Sequence, residues 1–102
     1  MTGPERLNFV LTTLRAHAAD FQRLGVAHMA VFGSVARGEA SEESDVDLVI
    51  EVIPDRKFSL IDLAGVQCES AGLLGSPVDV LMRRSLRPRL ATAVQVEAVN
   101  VF

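Results

Sequence analysis

Apolar positions along this chain change their period several times, and each change marks an element. Leu7, Val10, Leu11, Leu14, Ala18 and Phe21 recur at three- and four-residue intervals, which puts them on one face of an α-helix. Thr2 as a cap, Pro4 in the first turn and Glu5 three residues after Thr2 give that helix a start, and Gly25 gives it a stop. Val26 to Phe32 is short, apolar and partly β-branched, the pattern of a buried strand. Gly33-Ser34 breaks it, and Glu39 to Ser44 is a polar, acidic loop. Val46 to Ile53 is a second strand ended by Pro54-Asp55. Ser59 caps a further helix with Asp62 in the capping-box position, running to about Ala71 or Leu74. Gly75-Ser76-Pro77 resets the chain, and Val78 to Met82 reads as a third strand. Ser85 opens a last helix, with Leu86, Leu90, Ala93 or Val94 and Glu97-Ala98 on a shared side. Val99 to Phe102 is a fourth short strand or a tail.

The order is helix, strand, loop, strand, helix, strand, helix. A helix between the second and third strands makes those two parallel through a right-handed crossover. About a dozen residues join the first two strands, which suits an antiparallel pair. The fold class expected is α/β (α+β): a small mixed β-sheet of three to four strands flanked by helices, in a single domain over residues 1–102. Repeats, low-complexity tracts and linkers are absent from the pattern.

Composition narrows the function classes. Of 102 residues, 49% are apolar, so the chain folds. A net charge of −3 gives no footprint for gripping a long phosphate backbone, which disfavours nucleic acid as the main partner. Cys68 is the only cysteine, so an intrachain disulfide is excluded and a reducing compartment expected; the thiol reads as a small packing residue. The first residues lack the order of a signal peptide, and no apolar run reaches the ~18–20 residues that span a bilayer. A cytoplasmic protein with no membrane contact is expected.

Candidate chemistry appears once the polar residues are placed on these elements. Gly33 and Ser34 end the first strand, Asp45 and Asp47 begin the second, and Asp79 lies near the start of the third. With the first pair of strands antiparallel and the second pair parallel, all of them gather at one edge of the sheet. Asp45 and Asp47, two apart in extended chain, point to one face, while Val46, Leu48, Val78 and Val80 anchor the strands from the other. Three carboxylates in one place repel one another, and hard oxygen donors of this kind suit Mg²⁺ or Mn²⁺ completed by phosphate and water. Two Mg²⁺ ions about 3.5–4 Å apart would clamp a triphosphate for in-line displacement. Gly33 lets backbone approach a phosphate, Ser34 adds a hydroxyl and an amide, and Arg37 is placed to meet an anion before Gly38 ends the turn.

Gly33-Ser34, ten residues, then Asp45-Val46-Asp47 resembles the signature of the DNA polymerase β-like nucleotidyltransferases. The fuller strings Gly33-Ser34-Val35-Ala36-Arg37-Gly38 and Ser44-Asp45-Val46-Asp47-Leu48-Val49 are similar to its small prokaryotic branch, which includes the minimal nucleotidyltransferases paired with HEPN-domain proteins as toxin–antitoxin modules. The resemblance covers roughly Val26 to Met82 by motif. It implies that Gly33 and Ser34 form the triphosphate-binding turn and that Asp45 and Asp47 are metal ligands. Asp79, in Pro77-Val78-Asp79-Val80, would be the third carboxylate, which ligates the catalytic metal and helps activate the attacking hydroxyl. It further implies AMP transfer from ATP to a hydroxyl, in this branch a tyrosine of the HEPN toxin. Larger relatives carry acceptor-binding domains, and nothing follows Phe102 here. The acceptor is therefore expected from another protein or a second copy, in a hetero- or homo-oligomer.

Two other functions compete: an antitoxin that neutralises its partner by binding alone, and an aminoglycoside-type transferase acting on a small molecule. The remaining polar residues read plainly. His17 and His28 are surface or satisfied histidines, Glu39, Glu42 and Glu43 a solvated loop, and Glu51 exposed or structural. Arg83, Arg84, Arg87 and Arg89 are a solvated helix start, or else a patch for an acidic partner or a helper for the triphosphate. With no Trp or Tyr and the five Phe spread out, the sequence shows no stacking platform for a base and leaves base selectivity open, and without Tyr the chain cannot label itself on tyrosine.

Overall fold

In the computed structural model, which describes residues 2–39 and 45–102, the chain opens on a helix whose start is set by its own first residues. Helix α1 spans Gly3–Ala16. The Thr2 hydroxyl accepts from the Glu5 N–H at 3.2 Å and the Thr2 N–H donates to Glu5 Oε1 at 3.3 Å, a reciprocal capping box. The single helix expected up to Gly25 is in fact two, because His17 interrupts it and α2 spans Ala18–Arg23. The His17 ring meets the Thr13 carbonyl (Nδ1···O 3.0 Å), while the His17 N–H turns to Leu14. The backbone at His17, with φ −112° and ψ 18°, has left the helical region, and this separates the two helices.

Strands β1 (Val26–Phe32), β2 (Val46–Val52), β3 (Val78–Met82) and β4 (Val99–Asn100) form one sheet in the order β3-β2-β1-β4. As the connection lengths require, β1 and β2 are antiparallel and β2 and β3 parallel. A short turn of helix, α3 (Gly33–Ala36), leads out of β1, and α4 (Leu60–Leu74) makes the crossover from β2 to β3. Ser59 and Asp62 cap α4 reciprocally, and these bonds hold the Asp62 carboxyl below its ordinary pKa. The last helix does not begin at Ser85. Arg83–Ser85 makes one 3₁₀ turn, and α5 spans Pro88–Glu97 with Pro88 at its start. Proline disfavours helical backbone in the residue before it, and Arg87 is extended at φ −67° and ψ 150°, so the helix begins at Pro88. The fourth strand forms: Ala30 and Val31 of β1 pair with Asn100 and Val99.

Alternation in the strands divides the core. Val46, Leu48, Ile50, Val78 and Val80 face a large cluster with Val10, Leu11 and Leu14 of α1, Phe21 of α2 and Val66 of α4. Ala30, Phe32 and Val49 face the opposite way and are covered by Val94 of α5. The chain end is tied into this frame. Arg15 donates to the carbonyls of Val101 and Asn100, both at 2.8 Å, and the Phe102 ring stacks on Phe21 with centroids 6.3 Å apart. Cys68 does not pack as expected. It is exposed, because α4 turns Val66 and Ser70 inward and position 68 falls on the outer side. Glu42, Glu43 and Ser44 lie outside the described residues.

Candidate active site

The expected convergence is present at the edge where β1 ends and β2 and β3 begin. Phe32 pairs with Asp47 across the antiparallel ladder, and Asp47 pairs with Asp79 across the parallel one. Gly33, next after Phe32, therefore lies beside Asp47. Its φ of +76° is in the left-handed region, and a Cβ built on it would stand 2.5 Å from Asp47 Oδ2. A residue without a side chain lets the turn adopt that φ without strain and the carboxylate lean over it. Ser34 follows in the first turn of α3, which has no side-chain cap, so its leading N–H groups have no acceptor within the turn. The start of α1 buttresses this turn. Gly3 packs so closely on the Gly38 carbonyl that an added Cβ would collide with it.

The electrostatics follow from the crowding. Asp47 is half-buried and its carboxyl is pushed above the ordinary range, first by burial, then by the charges of Asp79 and Asp45, with Arg37 drawing it partly back. Asp45 and Asp79 are exposed. Asp47 therefore lies in a field of like charge that a cation would relieve, and three carboxylates supply the hard oxygen donors that Mg²⁺ prefers. The three are gathered without being closed: among the described residues no group of three or more His, Cys, Asp or Glu is close enough to hold a metal ion unaided.

Arg37 stands at the end of the turn, within electrostatic reach of Asp47, but it is already engaged. Its Nε donates to Glu39 Oε2 at 3.0 Å and its Nη1 to Glu97 Oε2 at 3.1 Å. Glu97, the last residue of α5, is a neighbour of the site that sequence reasoning missed, and no motif marks it. The other candidates lie elsewhere. His28 is exposed on β1 opposite Glu51, and the His17 ring is taken up by its own helix. Arg83 and Arg84 follow Met82, which pairs with Ile50, so they leave the sheet at the end away from Asp79. Arg87 and Arg89 sit at the start of α5, whose other end carries Glu97. This geometry removes the arginine cluster as a helper for a triphosphate held between Gly33 and Asp79. Arg83 instead faces Glu51 at 3.7 Å.

Residues 14–100, which include every one of these site positions, match the family described as nucleotidyltransferase domain. The chain belongs to that family. This nucleotidyltransferase is 39% identical over 98 residues to the protein adenylyltransferase MntA of Thermococcus cleftensis, covering 93% of this chain and 95% of that one. A solved structure described as a proposed minimal nucleotidyltransferase superposes with a TM-score of 0.70 at 43% identity, covering 87% of this chain and 93% of the other. At 16% identity, a likeness of fold alone, a chain of the complex between tri-AMPylated Shewanella oneidensis HEPN toxin and MNT antitoxin superposes with a TM-score of 0.65, covering 90% and 71%. Among the described residues of the nucleotidyltransferase, no helix is long and apolar enough to cross a membrane.

Proposed function

We propose that this nucleotidyltransferase moves AMP from ATP to a tyrosine hydroxyl of a HEPN-type toxin in the cytoplasm and acts thereby as the antitoxin. The observation that carries the reading is the meeting of the left-handed Gly33 turn with Asp47 and Asp79 on adjoining strands, in a chain 39% identical to a protein adenylyltransferase. Asp45, Asp47 and Asp79 would hold Mg²⁺ (two ions, as a triphosphate substrate allows), jointly with phosphate oxygens. Bound there, the metal supplies charge neutralisation at the α-phosphate and at the departing pyrophosphate.

The chain's own groups do the rest. Gly33 leaves room for a phosphate against the backbone, and the Ser34 hydroxyl and amide donate to its oxygens. Arg37 offsets triphosphate charge from the far side of the turn. Asp79, exposed at the start of an edge strand, is open to an acceptor arriving from solvent and takes the hydroxyl proton as the oxygen attacks. The new bond joins the tyrosine oxygen to the α-phosphorus, the bond from that phosphorus to the β-phosphate bridging oxygen breaks, and pyrophosphate leaves. The proteins named above support this reading in one respect each: adenylyl transfer in the Thermococcus cleftensis relative, and an AMPylated HEPN toxin beside the Shewanella oneidensis antitoxin.

The test is incubation of the purified chain with α-labelled ATP, Mg²⁺ and the product of the neighbouring gene, beside Asp79→Ala. Label on the partner with wild type alone supports transfer. Toxin neutralised with no label, or neutralised equally by Asp79→Ala, overturns it in favour of an antitoxin that works by contact.

A further inference from the structure

We infer that Glu97 competes with the nucleotide's triphosphate for Arg37 and so sets the affinity of the site for its donor. The inference rests on the assignment of Arg37 to the triphosphate made above. Arg37 meets two carboxylates that play no other part in the site: Glu39 at 3.0 Å through Nε and Glu97 at 3.1 Å through Nη1. One guanidinium between two carboxylates is more than neutralised. The positive charge that an incoming triphosphate would use is therefore shared out before the nucleotide arrives.

The two carboxylates differ in origin. Glu39 is two residues from Arg37 and travels with the turn, whereas Glu97 is sixty residues away and is placed by the seating of α5. That seating is firm, since Val94 of α5 is fully buried against Ala30, Phe32 and Val49, one turn before Glu97. Glu97 is thus held at the edge of the site by the packing of α5 on the sheet. A triphosphate offers the guanidinium fork paired oxygens of the kind a carboxylate offers, so the two anions are alternatives for the same donors. Both partners of the Arg37–Glu97 pair are partly exposed, at 42% and 35% of their side-chain surface, so the competition is modest. Exposed ion pairs of this kind correspond to an effect of about two- to five-fold on a binding constant. Glu97 acts through Arg37 and touches no reacting atom.

The test is titration of the whole chain with Mg-ATP by calorimetry, for wild type, Glu97→Gln, Glu97→Asp, Arg37→Gln and the double variant Arg37→Gln/Glu97→Gln. Melting curves confirm that each variant is folded, which an exposed pair makes safe. Glu97→Gln is expected to tighten ATP about two- to five-fold, Glu97→Asp to stay closer to wild type, and Arg37→Gln to weaken it. In the Arg37→Gln background the gain from Glu97→Gln should vanish. Persistence of the gain there would mean plain charge repulsion and would overturn the inference. Weakening or no change from Glu97→Gln, with Arg37→Gln still impaired, overturns it too while leaving Arg37 as a phosphate contact. Wild-type affinity in Arg37→Gln, or failure of wild type to bind Mg-ATP, overturns the assignment beneath it as well.

Discussion

Alanine at position 33 is the most demanding test of the site, because one methyl group enters two separate constraints. The φ of +76° places Gly33 in the left-handed region, where an L side chain costs about 1–2 kcal/mol. For a domain of this size that corresponds to a fall in Tm of roughly 4–16 °C. The same Cβ would stand 2.5 Å from Asp47 Oδ2, while ordinary contact begins near 3.4 Å, so the carboxylate must give way by 3.4 − 2.5 = 0.9 Å. Asp47 Oδ2 is the end of a rotatable side chain, and the next atoms, at 3.4 and 3.5 Å, can stay where they are. The clash therefore adds little to the stability loss and falls on the position of the carboxylate. Misplacing a catalytic group by about 1 Å costs on the order of 100-fold in rate. Gly33→Ala should consequently melt lower than wild type yet fold, and lose transfer by about two orders of magnitude. Gly72→Ala is the matched control. Gly72 lies inside α4 with nothing within 4 Å of the added Cβ, and there the same substitution should stabilise by about 0.5–1 kcal/mol with transfer unchanged. Melting curves and transfer of α-labelled AMP to the partner read both effects. A Gly33→Ala protein with the wild-type Tm and full transfer would refute the reasoning, since neither the left-handed turn nor the overhanging carboxylate would then matter.

Further outcomes follow from other parts of the molecule. The Asp47 carboxyl titrates above its unfolded value, so the folded state holds its proton the more tightly, and stability falls as pH rises from near 4 through the folded pKa. In the absence of divalent metal, Asp47→Asn should therefore raise Tm at pH 7 while abolishing transfer, and Mg²⁺ should raise Tm more in wild type than in the variant. A lower Tm for Asp47→Asn at pH 7 would contradict the repulsion. Asp62 shifts the other way, so its contribution is present above the unfolded pKa and lost as pH falls through the folded one. Ser59→Ala should cost about 1 kcal/mol of helix capping and flatten that acid limb, measured by denaturant unfolding at pH 3 to 7. Phe21 is fully buried against Phe102, and Phe21→Ala should cost about 3–5 kcal/mol, enough to leave a measurable unfolded fraction by circular dichroism at 37 °C.

Much of the molecule was legible because it is set over short stretches of chain. Both capping boxes, Thr2 with Glu5 and Ser59 with Asp62, span three residues and form as written. The apolar runs from Val26, Val46 and Val78 form the three strands, Val78–Met82 with alternating burial and the two central strands buried on both faces, and connection length decides which pairs are parallel. The meeting of Gly33, Asp47 and Asp79 follows from that topology, since strands of known direction bring known ends together. The start of α5 was legible as well. Pro88 keeps Arg87 extended and so bars a helix begun at Ser85, although the apolar spacing of Leu86 and Leu90 points to that earlier start, which the structure does not form.

Only the folded chain decided the rest. The break at His17, where the backbone leaves helical φ and ψ and the ring meets the Thr13 carbonyl, is invisible to a periodicity that runs smoothly through it. Cys68 is outside because the roll of α4 on the sheet is settled by all its apolar contacts together. Arg37 was legible as a cation at the end of the Gly33 turn, but its hold on Glu97 spans sixty residues and depends on which face of the sheet α5 covers. Hydrogen bonds within a turn and the alternation of a strand are local properties of the chain, so the sequence alone determines them. The lean of the Asp47 carboxylate over Gly33 and the sharing of Arg37 arise where distant segments pack, and tertiary structure alone decides those.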